Sequence, residues 1–244
     1  MMEAIGVIPA RYNSTRFEGK VLADLLGKPV VQHVWERASQ ATTLNDLIVA
    51  TDDQRVAKAV QDFGGKFALT STDQPSGTDR LAEVVNPIDV KIVVNIQGDE
   101  PLVHPSMINE LVRIFLEDES ICMATVIKRI EKKEELIDPN VVKVVVDRFD
   151  NALYFSRSPI PFEKGQLSKI FYKHLGLYAY TKDFLFTFAN LPKSNLETAE
   201  SLEQLRALEN NYKIKTIETK FDTVGIDTPE DLQRAKELLK SPTP

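Results

Sequence analysis

The stretch "VIPARYNSTRFEGK", Val7 to Lys20, decides the fold, because an apolar run ends in a proline and gives way at once to a loop carrying Arg11, Arg16 and Lys20. Pro9 has no backbone N–H for a sheet ladder, so it marks the end of a strand and leaves Ala10 to Lys20 as a loop. In a parallel sheet such a loop lies at the carboxyl edge, where open α/β sheets bind ligands. Arg11 and Arg16 can each fork onto phosphate oxygens, and Lys20 adds a compact point charge. Ser14, Thr15 and Gly19 offer hydroxyls and close backbone approach. These parts suit a triphosphate, although neither a G-x-x-x-x-G-K-[ST] loop nor a G-x-G-x-x-G fingerprint follows the strand. Taken alone, the segment also fits a solvated basic loop.

Outward from that loop, strands alternate with helices. "AIGVIPA" reads as a buried first strand, "PVVQHVWERASQA" as an amphipathic helix opened by proline, and "DLIVAT" as a second strand. "DDQRVAKAVQDFG" is a helix with an aspartate cap and a glycine stop, and "GKFALT" is a strand. A helix is expected near Thr78, and "KIVVNIQ" is a strand buried on both faces. The alternation predicts an α/β fold, a mixed but mostly parallel sheet with helices on its faces. From about residue 120 the pattern tightens: "ICMATVIK", "VVKVVVD", "NALYFSR" and "YKHLGLYAYT" read as strands, with "PFEKGQLSK" as an exposed connection. "KDFLFTFANL", "ESLEQLRALENN" and "DTPEDLQRAKELLK" read as helices. One domain over 1–244 with a smaller inserted lobe at roughly 128–220 accommodates all of this.

Bulk properties narrow the chemistry. With 244 residues and 43% hydrophobic composition, the chain can bury a sizeable core. A net charge of −6 gives no broad footprint for nucleic acid or an anionic membrane, so any anion is held locally. Cys122 is the single cysteine, which excludes an intramolecular disulfide and a cysteine-clustered metal site; in "ICMATVI" it reads as a core thiol. The N-terminus has no basic region followed by a cleavable apolar segment, and no apolar stretch is long enough to span a bilayer. A soluble, cytoplasmic protein is the expectation.

Four further constellations carry polar chemistry. In "VVNIQGDEPLV", Asp99 follows a strand and a glycine at the carboxyl edge, where a carboxylate can hold Mg²⁺ against a bound phosphate; a plain Asx turn has the same signature. In "TVGIDTPEDL", Asp227 is either a second carboxylate for that site or, with Thr228 as the other candidate, the cap of the helix that Pro229 begins. In "QPSGTDR", Ser76, Gly77 and Thr78 supply donors at a helix N-terminus and Arg80, one turn in, would face the same ligand; a capping loop is the alternative. In the expected lobe, Arg157, His174, Glu203 and Gln204 together suggest a pocket for a polyol bearing a carboxylate, while each alone fits an ordinary structural role.

Taken together, "IPARYNSTRFEGK", "SGTDR", "NIQGDEP", "YFSRSPIPF", "ESLEQLRALE" and "DTPEDL" run in the order of the CMP-Kdo synthetases, the 3-deoxy-manno-octulosonate cytidylyltransferases of lipopolysaccharide assembly, and the chain resembles that family over nearly its whole length. One departure is visible: Glu18 stands where the family loop usually has proline, a negative charge beside Arg16 and Lys20. The resemblance implies a nucleotide-diphospho-sugar transferase three-layer sandwich, a homodimer helped by the small lobe, and Mg²⁺ as cofactor. It implies that CTP and an acidic eight-carbon sugar are the substrates. Pro9, Ala10, Arg11, Arg16 and Lys20 would then belong to the nucleotide site, with Ser76, Gly77, Arg80 and Gln97 around cytosine and ribose. Asp99 and Asp227 would be the metal ligands, and Arg157, His174, Glu203 and Gln204 would surround the sugar acid. Arg16, Lys20, Asp99 and Asp227 would carry the chemistry. A cytidylyltransferase for 8-amino-Kdo or a sialic acid, and a nucleotide-binding subunit without chemistry, are the competing readings.

Overall fold

Buried from Ala4 to Ile8, β1 (Met2–Pro9) is the strand the opening motif requires, ending at its proline. The computed structural model describes residues 2–74, 76–164 and 171–240. After the loop and a single 3-10 turn at Lys20–Leu22, a short hairpin of β2 (Asp24–Leu25) and β3 (Lys28–Pro29) leads into α1 (Val30–Ala38). Pro29 immediately precedes α1, and Val30, Val31, Val34 and Ala38 bury one stripe of it. β4 (Asp46–Thr51) is followed by α2 (Gln54–Asp62), capped by Asp53 and stopped beside Gly64 at φ 80°. Next come β5 (Phe67–Leu69), α3 (Gly77–Val85) with Ser76 as its cap, and β6 (Val90–Asn95). α4 (Pro105–Glu117) has no counterpart in the sequence reading, although Pro105 at its start and apolar Met107, Ile108, Leu111, Val112 and Phe115 carry the helical signature.

The second half supplies β7 (Met123–Arg129), α5 (Lys133–Ile137), β8 (Lys143–Val146), β9 (Ala152–Ser156) and β10 (Tyr172–Thr181). The expected connection "PFEKGQLSK" lies partly outside the described residues. α6 (Lys182–Asn190) follows. Where an amphipathic helix is expected over "ESLEQLRALENN", residues 200–211, the helix α8 covers only Leu205–Glu209, and a break separates it from α7 (Asn195–Glu200), which has no counterpart in the sequence reading. The break is at Ser201, left-handed at φ 54°, which closes α7 while the Glu200 carboxylate accepts from Ser156 Oγ and Arg157 N. β11 (Lys215–Glu218) and α9 (Pro229–Lys240) complete the chain.

The main sheet runs β11-β7-β10-β6-β1-β4-β5. β6, β1, β4 and β5 are mutually parallel, as are β7 and β11, while β10 runs antiparallel to both β6 and β7. The result is the expected mixed, mostly parallel sheet. One face buries α1, α2 and α4 against Ile8, Val49 and Val94, and the other buries α3, α6 and α8 against Ile5, Val7 and Val93, giving three layers. Of the segment 128–220, in which the sequence suggests a smaller lobe, β10 and β11 are strands of this sheet, and β8 and β9 extend from the first residues of β10. A third cluster joins Ile226 and Ala235 to Leu25 and Val30, docking α9 beside the β2–β3 hairpin.

Candidate active site

The carboxyl ends of β1 and β6 meet at Gly98. A Cβ there would lie 2.6 Å from the Pro9 carbonyl oxygen and 3.3 Å from the Ala10 Cβ, so only glycine lets the two strand ends approach this closely. The approach sets the basic loop that follows β1 against Asp99. A cleft of about 500 Å³ opens there, lined by Pro9, Arg11, Lys20, Gly77, Gln97, Asp99, Glu203 and Gln204 among the residues singled out from sequence.

Asp99 and Asp227, far apart in sequence, converge. The Lys20 ammonium lies 2.5 Å from Asp99 Oδ2 and 2.8 Å from Asp227 Oδ1, and Arg16 Nη2 lies 2.9 Å from Asp227 Oδ2. Burial acts to lower the Lys20 pKa, but Asp99 and Asp227 outweigh it and the pKa stands raised. Burial likewise pushes the Asp227 carboxyl up, and Lys20 with Arg16 turns the balance downward. The choice left open for Asp227 resolves here: Thr228 and Asp231 make the reciprocal cap of α9, Thr228 Oγ1 accepting from Asp231 N and Asp231 Oδ2 from Thr228 N, which leaves the Asp227 carboxylate to Lys20 and Arg16. Ile226 N donates to the Asp99 carbonyl at 2.9 Å, so the two carboxylate-bearing segments are joined through their backbones. Beside Asp99, burial raises the Glu100 carboxyl to about 8, with the Asp99 charge adding to the rise and a hydrogen bond from Thr223 opposing it.

The donor set offered to a metal is two aspartate carboxylates already gathered on one positive charge. Among the described residues no cluster of three or more His, Cys, Asp or Glu side chains is placed to bind a metal. That composition fits Mg²⁺, which takes one or two carboxylates and completes its shell with phosphate oxygens and water.

At the other end of the cleft, Glu203 accepts from Thr78 Oγ1 at 2.8 Å; burial raises its carboxyl and that hydrogen bond opposes the rise. Gln204 is buried with its Nε2 unpartnered, a donor awaiting an acceptor. Gln97 Nε2 donates to Asn95 Oδ1. Asn95, Tyr178, Tyr180, Met123 and Phe188 also line the cleft, and the sequence reading does not single them out. The signal for the tyrosines is present in "YAY": positions two apart on a strand share a face, and these rings stack at 6.0 Å. A bulge in β10 between Leu175 and Tyr178 precedes them and resets their register against β7.

Other expected residues lie elsewhere. Ala10 is buried, its amide donating to the Ala50 carbonyl, and Ser76 serves as the cap of α3 in an adjoining hollow that also reaches Arg11. Arg80 does not face the ligand: it is wholly buried, with Nη2 donating to Asp52 Oδ2 at 2.8 Å and Nη1 donating to Thr70 Oγ1. Arg157 is held outside the cleft by the carbonyls of Glu200, Pro139 and Ser201. His174 stands behind the wall, 5.1 Å from both Phe155 and Tyr178, with Nε2 2.9 Å from Thr125 Oγ1. Burial drives its pKa down to about 3. The Thr125 hydroxyl also lies 2.9 Å from the Leu177 carbonyl oxygen.

A cytidylyltransferase family matches residues 5–217. A 3-deoxy-manno-octulosonate cytidylyltransferase of Geobacter metallireducens is 51% identical, over 98% of this chain and 98% of that one. The chain belongs to the 3-deoxy-manno-octulosonate cytidylyltransferase family. A second relative of that description, from Geotalea uraniireducens, is 50% identical over 98% of this chain and 100% of its own. A solved structure described as CMP:2-keto-3-deoxy-manno-octonic acid synthetase complexed with CTP superposes with a TM-score of 0.93 at 45% identity, over 97% of this chain and 98% of that one. Among its described residues this cytidylyltransferase has no helix long and apolar enough to cross a membrane.

Proposed function

We propose that the chain joins CTP to 3-deoxy-manno-octulosonate (Kdo), giving CMP-Kdo for lipopolysaccharide assembly and releasing pyrophosphate. The observation that carries this reading is the meeting of Asp99 and Asp227 on Lys20 at the edge of a cleft whose far end holds Glu203 and the unpartnered Gln204. One end suits a triphosphate and its counter-ion, the other a hydroxyl-rich acid.

The reaction is an in-line displacement: the sugar's anomeric oxygen bonds to the α-phosphorus of CTP, the bond to the β-phosphate oxygen breaks, and the anomeric proton leaves to solvent. Negative oxygens around that phosphorus repel the nucleophile, so the site's work is charge neutralisation and alignment. Lys20, Arg16 and Arg11 offset charge on the departing pyrophosphate. Asp99 and Asp227 would hold Mg²⁺, which when bound would supply Lewis-acid chemistry for the transfer. Gly77 lines the cleft beside Pro9, where the nucleoside would lie. Gln204 Nε2 and Glu203 take sugar hydroxyls, with Tyr178 as the wall that His174 supports from behind.

Pyrophosphate release measured with four nucleoside triphosphates and a panel of sugar acids tests this: release requires CTP, Kdo and Mg²⁺ together and collapses in Asp99→Asn. Equal release by that variant at saturating Mg²⁺ overturns the metal assignment, and release with another sugar acid in preference to Kdo overturns the substrate. We also propose a cytoplasmic location, which the need for CTP supports. We further propose a homodimer, in which a second copy covers the exposed Ile137, Phe149 and Leu153 around α5, β8 and β9. Sedimentation equilibrium should give twice the chain mass, and Leu153→Glu should shift it toward one; a wild-type monomer at all concentrations refutes the pairing.

A further inference from the structure

The loop that would receive the triphosphate is closed by contacts outside the cleft. Gly19 N donates to the Tyr12 carbonyl at 2.8 Å, and Gly19 sits at φ 67°. Its missing Cβ would lie about 3.0 Å from the Tyr12 ring, so the ring fills space that a side chain would occupy. On the same ring rests the guanidinium of Arg55, its carbon 3.3 Å from the centroid. Arg55 is itself fixed: Nε lies 3.0 Å from Asp53 Oδ1 and Nη2 2.6 Å from Asp53 Oδ2, and Asp53 is the residue that caps α2. α2 is anchored in turn by buried Val56, Ala57 and Val60.

We infer that Arg55, stacked on Tyr12 and forked onto Asp53, latches the phosphate loop and is a positioning residue for the triphosphate. A planar guanidinium can do both at once, lying flat on a ring while two N–H groups meet a carboxylate; an ammonium cannot. The latch also bears on Glu18. Hydrogen bonding to Asp53, first, raises the Arg55 pKa, burial opposes the rise, and the charges of Asp53 and Glu18 add to it.

The inference rests on the reading that this loop grips the β- and γ-phosphates, so the test compares CTP with CMP. Binding of each to the full chain in Mg²⁺ buffer is measured by titration calorimetry for wild type, Arg55→Ala, Arg55→Lys, Tyr12→Phe and the double variant Glu18→Gln/Arg55→Ala. Arg55→Ala should weaken CTP about fivefold and CMP less than about twofold. Arg55→Lys should not rescue it, Tyr12→Phe should bind CTP as wild type does, and the double variant should recover part of the loss. CTP affinity within about twofold of wild type in Arg55→Ala, or equal loss of CTP and CMP with a lowered melting temperature, overturns the latch. A wild-type protein that binds CMP as tightly as CTP refutes the phosphate-loop reading itself, and the latch with it.

Discussion

At the scale of single residues, Gly98 and His174 make the sharpest demands. The Gly98 contact is with backbone, which cannot rotate away, so Gly98→Ala must push the end of β1 from the turn bearing Asp99. The expected cost is about 1–3 kcal/mol of stability and a larger loss in turnover, because the Lys20–Asp99 geometry is displaced directly; urea denaturation and pyrophosphate release check the two separately. For His174 the sign follows from its lowered pKa. The unfolded chain takes up a proton near pH 6.5, whereas the folded chain resists it down to about 3. Stability therefore falls as pH drops below about 6.5, by up to about 1.4 kcal/mol per pH unit, and is indifferent to this group above that value. His174→Gln should flatten the fall between pH 7 and pH 5, and an unchanged pH profile would refute it. Lys20, Asp99 and Asp227 were legible in sequence because each sits beside a strand end or helix start, where direction is constrained. Arg80 and Arg157 were not, because their orientation is set by partners on other segments: Asp52 and Thr70 for one, the Glu200 and Pro139 carbonyls for the other.

Among the elements, the segment between β11 and α9 does the most positioning with the least regular structure. Thr219 N donates to the Ile127 carbonyl, the Phe221 ring stacks on His104 at 3.5 Å, and Asp222 receives Lys128 at 2.6 Å and Lys173 at 2.7 Å before the chain reaches Asp227. Lys173 is buried and its other partner is Glu135 at 2.5 Å, so removing Asp222 leaves one cation where two carboxylates had held it. Asp222→Ala should loosen this strap and raise the Mg²⁺ concentration needed for half-maximal turnover, with the CTP requirement less affected; a Mg²⁺ titration decides, and an unmoved midpoint would mean the strap is held without Asp222. Such an element is opaque to periodicity, since its contacts are single and long-range. α4 was readable in principle from its proline and apolar spacing, whereas the break between α7 and α8 depends on Ser156 and Arg157 drawing Glu200 aside, which no local pattern contains.

The whole molecule places its site at a junction. The parallel half, β6-β1-β4-β5, was visible as alternating strands and helices, and its carboxyl edge followed from Pro9. The insertion of β10 between β6 and β7 was not, because a strand's own residues declare that it is a strand but not which neighbours it pairs with. Yet that insertion brings Tyr178 opposite Asn95 and so closes the cleft. The assembled site is balanced in charge: Asp99 and Asp227 against Lys20 and Arg16. A triphosphate that draws the two cations toward itself leaves the two carboxylates unpaired, and a divalent ion restores the balance. Nucleotide and Mg²⁺ must then bind with positive coupling, each raising the other's affinity by the same factor. Without CTP, Mg²⁺ meets carboxylates already neutralised and should shift the melting temperature little. With CTP near one hundred times its dissociation constant, about 2.7 kcal/mol of stabilisation is expected, at roughly 2 to 4 °C per kcal/mol for a chain of this size. The shift with both ligands should exceed the sum of the separate shifts, and a chelator should remove the excess. Asp227→Asn should cut that excess as well, because one of the two carboxylates no longer needs a counter-ion. Strictly additive shifts in the wild type would mean that Lys20 and Arg16 keep their aspartates when CTP is bound, and that the phosphates are neutralised from elsewhere.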